Sequence, residues 1–193
     1  MKEFKIIVPI MLLLLFNELP LAQNKVEKEE QIKDNEVPEA VRKNMIILFG
    51  QDFKGKWYKE LSDGGISIEA KLKHKGSLYS VEFSEGGEIE DIEIELNWNK
   101  FNGSSKSEIK NYFSGNYEKV KVKKIQKQIT GNIEALSFAI HKGSFDGVTL
   151  KYEIEYLGLK EGKSRLWEGL FTDNGELIKT RLVVLPSTDN LDF

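Results

Sequence analysis

Tyr79-Ser80-Val81-Glu82-Phe83-Ser84-Glu85-Gly86-Gly87-Glu88-Ile89 is echoed 88 residues later by Trp167-Glu168-Gly169-Leu170-Phe171-Thr172-Asp173-Asn174-Gly175-Glu176-Leu177. Ile94 and Leu96 recur at the same offset as Leu182 and Val184. Self-similarity in both order and spacing marks a supersecondary unit used twice. Working outward, Met45, Leu48, Phe49, Phe53 and Leu61 match Ile109, Tyr112, Phe113, Tyr117 and Ile125 at an offset of 64, while Ile68, Ala70 and Leu72 match Tyr152, Ile154 and Tyr156 at 84. The second version is therefore about twenty residues longer. The extra length falls near 127–147, between the turn chemistry of Thr130-Gly131-Asn132 and Gly143-Ser144.

Within each version the periodicity changes from helical to extended. Pro38 suits a first helical turn, and Val41, Met45, Leu48 and Phe49 follow at spacings of three and four before Gly50. Ile109, Tyr112 and Phe113 give a shorter stripe ending near Gly115. Strict alternation follows: Ile66, Ile68, Ala70 and Leu72 against Glu69, Lys71 and Lys73; Tyr79, Val81 and Phe83 against Ser80 and Glu82; Ile92, Ile94 and Leu96 against Glu93 and Glu95. Gly86-Gly87 and Asn174-Gly175 read as hairpin turns, and the parity of Ile89 against Ile92 requires a bulge near Glu90-Asp91. The lysine-rich Val120–Ile129 strand is placed at an edge or junction. These patterns predict an α+β fold of two tandem copies of a helix packed on a four-stranded antiparallel sheet: 37–97, a link at 98–103, and 104–185 with its insertion, then a tail at 186–193.

Lys2 and Lys5, the apolar run Ile6–Phe16 and Pro20-Leu21-Ala22 have the layout of a secretory signal, expected to be cleaved after Ala22. The run is short of the roughly 20 residues a spanning helix needs, so no integral membrane span is expected after cleavage, and the location is expected to be periplasmic or secreted. Residues 23–36, almost all polar, read as a disordered leader. The chain has 193 residues and no cysteine, which excludes disulfides and thiol chemistry. With 31 acidic residues against 28 basic ones, no strong field favours nucleic acid.

No catalytic constellation stands out. His74 and His141 have no motif around them and read as surface residues, so neither a nucleophilic triad nor a zinc centre is expected. The acidic run Glu82, Glu85, Glu88, Glu90, Asp91, Glu93 and Glu95 lacks the spacing of a calcium loop, and Glu93 and Glu95 fall on the wet positions of a strand. No metal and no cofactor is assigned. Tyr58, out of phase with Trp57 and Leu61, and Trp98, in the link, join Glu93 and Glu95 as candidate binding residues. Val183 and Leu185 add apolar character to the outer face of the second half.

Val37-Pro38-x-x-Val41, the aromatic-ended helix, Trp57-x-x-Glu60, Tyr79-Ser80-Val81-Glu82-Phe83 and Gly87-Glu88-Ile89 together resemble the PepSY-like proteins of bacterial periplasms, over about 37–185. Those proteins are similar to the β-lactamase inhibitor protein fold, two tandem copies of a helix on a four-stranded antiparallel sheet. The resemblance carries over no catalytic residue. It implies a non-catalytic binding or inhibitory module acting on an extracytoplasmic protein or peptide through its outer sheet face. The alternative expectation is a structural or envelope-stress component that binds a cell-surface polymer or small molecule.

Overall fold

The computed structural model describes residues 23–25, 28–62 and 65–183, so the expected signal segment 1–22 and tail 186–193 lie outside it. In chain order the elements are Gln23–Lys25 (β1), Lys28–Ile32 (β2), a 3-10 turn at Asp34–Glu36, Glu39–Phe49 (α1), Gly55–Ser62 (β3), Gly65–His74 (β4), Ser77–Ser84 (β5) and Ile89–Leu96 (β6). Ser104–Asn116 (α2), Lys119–Gly131 (β7), Ile133–Lys142 (α3), Val148–Lys160 (β8), Lys163–Thr172 (β9) and Leu177–Val183 (β10) complete them. Apolar spacing accounts for the first helix: Val41, Met45, Leu48 and Phe49 share its buried face. Alternation accounts for the strands. In the β5–β6 hairpin Glu82 opposes Asp91 and Phe83 opposes Ile89, which leaves Glu90 as the extra residue of a bulge.

All ten strands form one sheet, in the order β1-β10-β9-β8-β7-β6-β5-β4-β3-β2. Pairing is antiparallel from β10 through to β2, and β1 lies parallel to β10. The expectation of two tandem copies, each a helix on its own four-stranded sheet, is therefore overturned. The sheet does not end at β6: its Ile92, Ile94 and Leu96 stand opposite Ile129, Lys127 and Ile125 of β7. Pairing satisfies two rows of backbone donors and acceptors that separate sheets would leave open. The lysine-rich strand is thus a central junction rather than an edge.

Two further expectations change. The insertion is a helix, α3. Asn132 caps it by accepting a hydrogen bond from the Ala135 amide at 2.9 Å, and Gly143 ends it in the left-handed region at φ 68. The leader is also structured. Lys28–Ile32 pairs with β3, Ile32 packs on the core, and Trp57 Nε1 donates to Asp34 Oδ1 at 3.1 Å.

The three helices lie on one side of the sheet, over two apolar clusters. Beneath α1 and α3 are Trp57, Ile68, Val81, Phe83, Ile92 and Ile129; beneath α2 are Ile125, Ile154, Tyr156 and Phe171. The histidines are part of this side. His74 packs edge-on to Phe49, Tyr79 and His141, with ring centroids 5.3, 5.9 and 6.4 Å away, and is half-buried, which corrects its reading as a surface residue; His141 is exposed.

Candidate functional site

Because side chains alternate across the pleat, the strands that send Trp57, Ala70, Val81 and Ile92 to the helices send polar neighbours to the opposite face, which no described helix covers. In register across four strands lie Tyr58, Glu69, Glu82 and Asp91. The next row holds Lys56, Lys71, Ser80, Glu93, Gln128 and Lys151. Of these, Glu69, Lys71, Glu82, Asp91, Glu93 and Gln128 line a trough of about 330 Å3. Its walls carry nine carboxylates (Glu29, Glu60, Glu69, Glu82, Glu90, Asp91, Glu93, Glu153 and Glu155) against four cations, Lys71, Lys124, Lys179 and Arg181.

The hydrogen bonds show which carboxylates are already served. Glu69, 5% exposed, takes the Ser80 hydroxyl on one oxygen and lies 3.1 Å from Lys71 Nζ with the other. Lys71 also reaches Glu29 at 2.8 Å and sits 4.9 Å over the Tyr58 ring. Glu29, Glu60 and Glu69 bring one oxygen each within 4.8 Å of one another, and Lys71 is already the cation of that set. Glu168 is held by Arg181, whose Nε donates at 3.0 Å. Gln126 Nε2 donates to Glu93 at 2.6 Å and Gln128 Nε2 to Asp91 at 2.9 Å.

The middle of the trough is where protons are held. Burial, then the charges of Asp91, Glu60, Glu69 and Glu90, pushes Glu82 up to about 8. Burial and Glu90 push Asp91 up to about 6, against the pull of Lys151 and the Gln128 amide. Glu93 is raised by burial, Glu153 and Asp91, against Lys124. Crowded carboxylates that remain protonated near neutrality ionise when a cation arrives, so the trough can exchange protons for a positively charged ligand. Among the described residues no histidine lines it.

Three of the residues singled out from sequence, Tyr58, Glu93 and Glu95, lie on this face; Glu93 is central and Glu95 is exposed toward one end. Trp98 does not join them. It packs on the helix side, with ring centroids 5.9 Å from Phe101 and 6.3 Å from Phe113, and Lys106 stands 4.9 Å over its ring. Glu69, Glu82 and Asp91 were missed as a site. Their strand alternation was legible, but the register that lines them up across three strands is not visible in any one segment.

A scan of protein-family models finds none that matches this chain, and a search of curated proteins finds no match. Among solved structures the chain is similar to a DUF2874 family protein from Bacteroides ovatus, with a TM-score of 0.53 and 16% identity over 75% of this chain and 86% of the other. At that identity the likeness is one of fold.

Proposed function

We propose that this protein is a PepSY-like, extracytoplasmic, non-catalytic binding module that takes a protein or peptide segment on the outer face of its sheet, and that the part of the partner seated in the trough is cationic. The observation that carries this is the imbalance of nine carboxylates to four cations on a face that, among the described residues, no helix covers. Lysine or arginine side chains laid across the trough would ionise Glu82 and Glu93 and pair with Asp91, and paired charges there are less screened than on an open surface. The likeness to the DUF2874 family protein is one of fold alone, and the PepSY-like reading rests on the sequence pattern of Val37-Pro38-x-x-Val41, Trp57-x-x-Glu60, Tyr79–Phe83 and Gly87-Glu88-Ile89. The export part rests on Lys2, Lys5, Ile6–Phe16 and Ala22, and N-terminal sequencing of exported protein should begin at Gln23 or within a few residues.

Calorimetric titration with a tetralysine peptide at low salt and pH 7, in two buffers of different ionisation enthalpy, tests the binding. Saturable binding with proton release, weakened by salt and by Glu82→Gln with Asp91→Asn, is expected. Absence of binding, or binding that those variants leave unchanged, sinks the proposal.

A further inference from the structure

Beside the acidic trough, at the end of the sheet where β4 and β6 finish, the same face opens into a second depression of about 530 Å3 with the opposite charge. Lys54 and Lys56 line it from the β3 side, Lys71 and Lys73 from β4, and Lys124 from β7; among the described residues Glu95 is its only carboxylate. Lys54, Lys56 and Lys73 have no ion pair among the described residues.

The arrangement is costly as it stands. Lys56 is directly opposite Lys71, and like charges so placed on neighbouring strands repel; Glu29 and Glu69 offset the charge of Lys71, while Lys56 has no such partner among the described residues. Leu78, opposite Lys73, is 51% exposed in the same depression, beside the methylene stems of the lysines. A ligand with carboxylates and apolar side chains would relieve both features at once. The width, four strand spacings from β3 to β7, is about 19 Å, the reach of roughly five or six extended residues. Trough and groove are continuous, since both are lined by Lys71, Lys124 and Gln126.

Resting on the function proposed above, we infer that the partner segment is two-signed: a lysine- or arginine-bearing block fills the trough, and an adjoining block of aspartate or glutamate interleaved with leucine or phenylalanine fills the lysine groove. Such a partner is selected by its charge order rather than its net charge. A uniformly basic chain is repelled at the groove and a uniformly acidic one at the trough.

The probes are a tetralysine peptide and the same peptide joined through two glycines, in either order, to Asp-Leu-Asp-Leu, titrated into the full chain. The extended peptide should bind at least tenfold more tightly in one order. That gain should vanish in Lys56→Glu/Lys73→Glu and with Asn-Leu-Asn-Leu in place of the acidic block, while tetralysine binding persists in the double variant. Both lysines are exposed, so the variant keeps its core. If tetralysine binds but the extension adds nothing, or the gain survives the double variant, the groove assignment fails and the trough reading stands. If neither peptide binds, both fail. Removal of residues 184–193, which include Asp189, Leu191, Asp192 and Phe193, gives a further outcome. A rise in affinity for the extended peptide in that truncated chain would assign the groove to the chain's own segment and overturn an external partner there.

Discussion

Glu82 stands between Glu69 and Asp91 on the two flanking strands, with no cation directly opposite on either side. Burial first, then these neighbouring carboxylates, raise its affinity for a proton on folding, from an ordinary 4.5 to about 8. The folded chain holds more protons than the unfolded one between those values, so the associated stability is complete below 4.5 and is lost as the pH rises through 8. Asp91 acts in the same sense between 3.8 and about 6. His74 acts in the opposite sense, because burial first, then Lys75 and His141, lower it from 6.5 and its stability contribution grows as the pH rises. Asp91 and His74 have largely finished titrating by pH 7, so between pH 7 and 9 the change comes from Glu82 together with Glu93, which burial and Glu153 also raise, and Glu82→Gln separates the two. Urea unfolding should show stability falling across that interval, and Glu82→Gln should flatten the slope and add on the order of 1–2 kcal/mol at pH 9. An unchanged slope in that variant would show that Glu82 ionises freely in the folded protein.

At the level of elements, two hairpin tips hold the helices to the sheet. Gly87 and Gly175 both have left-handed backbones, φ 87 and 91, and both lie against the start of a helix. A Cβ on Gly87 would come 2.6 Å from the Ala40 Cβ; one on Gly175 would come 2.3 Å from the Ser105 carbonyl oxygen. Gly143 has φ 68 with nothing near it. Gly143→Ala should then cost about 1 kcal/mol for conformation alone, and Gly175→Ala measurably more, because backbone has to move; equal losses in thermal melts would mean that the α2 contact is slack. Asn132→Ala should cost about 1 kcal/mol by uncapping α3. The hairpins were legible because Gly86-Gly87 and Asn174-Gly175 announce themselves locally, and so was the bulge at Glu90. α3 was not recognised, although Asn132, the spacing of Ile133, Leu136 and Ile140, and Gly143 form a complete helix phrase. Read as an insertion between two turns, those caps looked like loop chemistry. The order in 28–32 escaped for another reason: Ile32 is the one partly buried side chain in that strand, and an edge strand needs little apolar pattern when its partner supplies the ladder.

Across the whole molecule, what decides behaviour is that β7 belongs to both cores. Ile129 is buried with Val81, Phe83 and Leu136, while Ile125, on the same face of the same strand, is buried with Ile154, Tyr156 and Phe171. Neither half can lose its packing without exposing a face of β7 and stripping the β6 ladder that the other half uses. Two independent units would melt separately, and each would keep its own midpoint when the other was damaged. One sheet predicts otherwise. Phe83 and Phe171 are both fully buried, one in each cluster, and replacing either by alanine should cost about 3–5 kcal/mol. Each variant should shift a single shared calorimetric transition to lower temperature. Residues 37–97 produced alone should fail to give a sharp transition, because β6 would become an edge with Ile92 uncovered by Ile129. Two resolved transitions in either variant, or a cooperative melt of 37–97 alone, would show that the halves fold separately in spite of the continuous ladder.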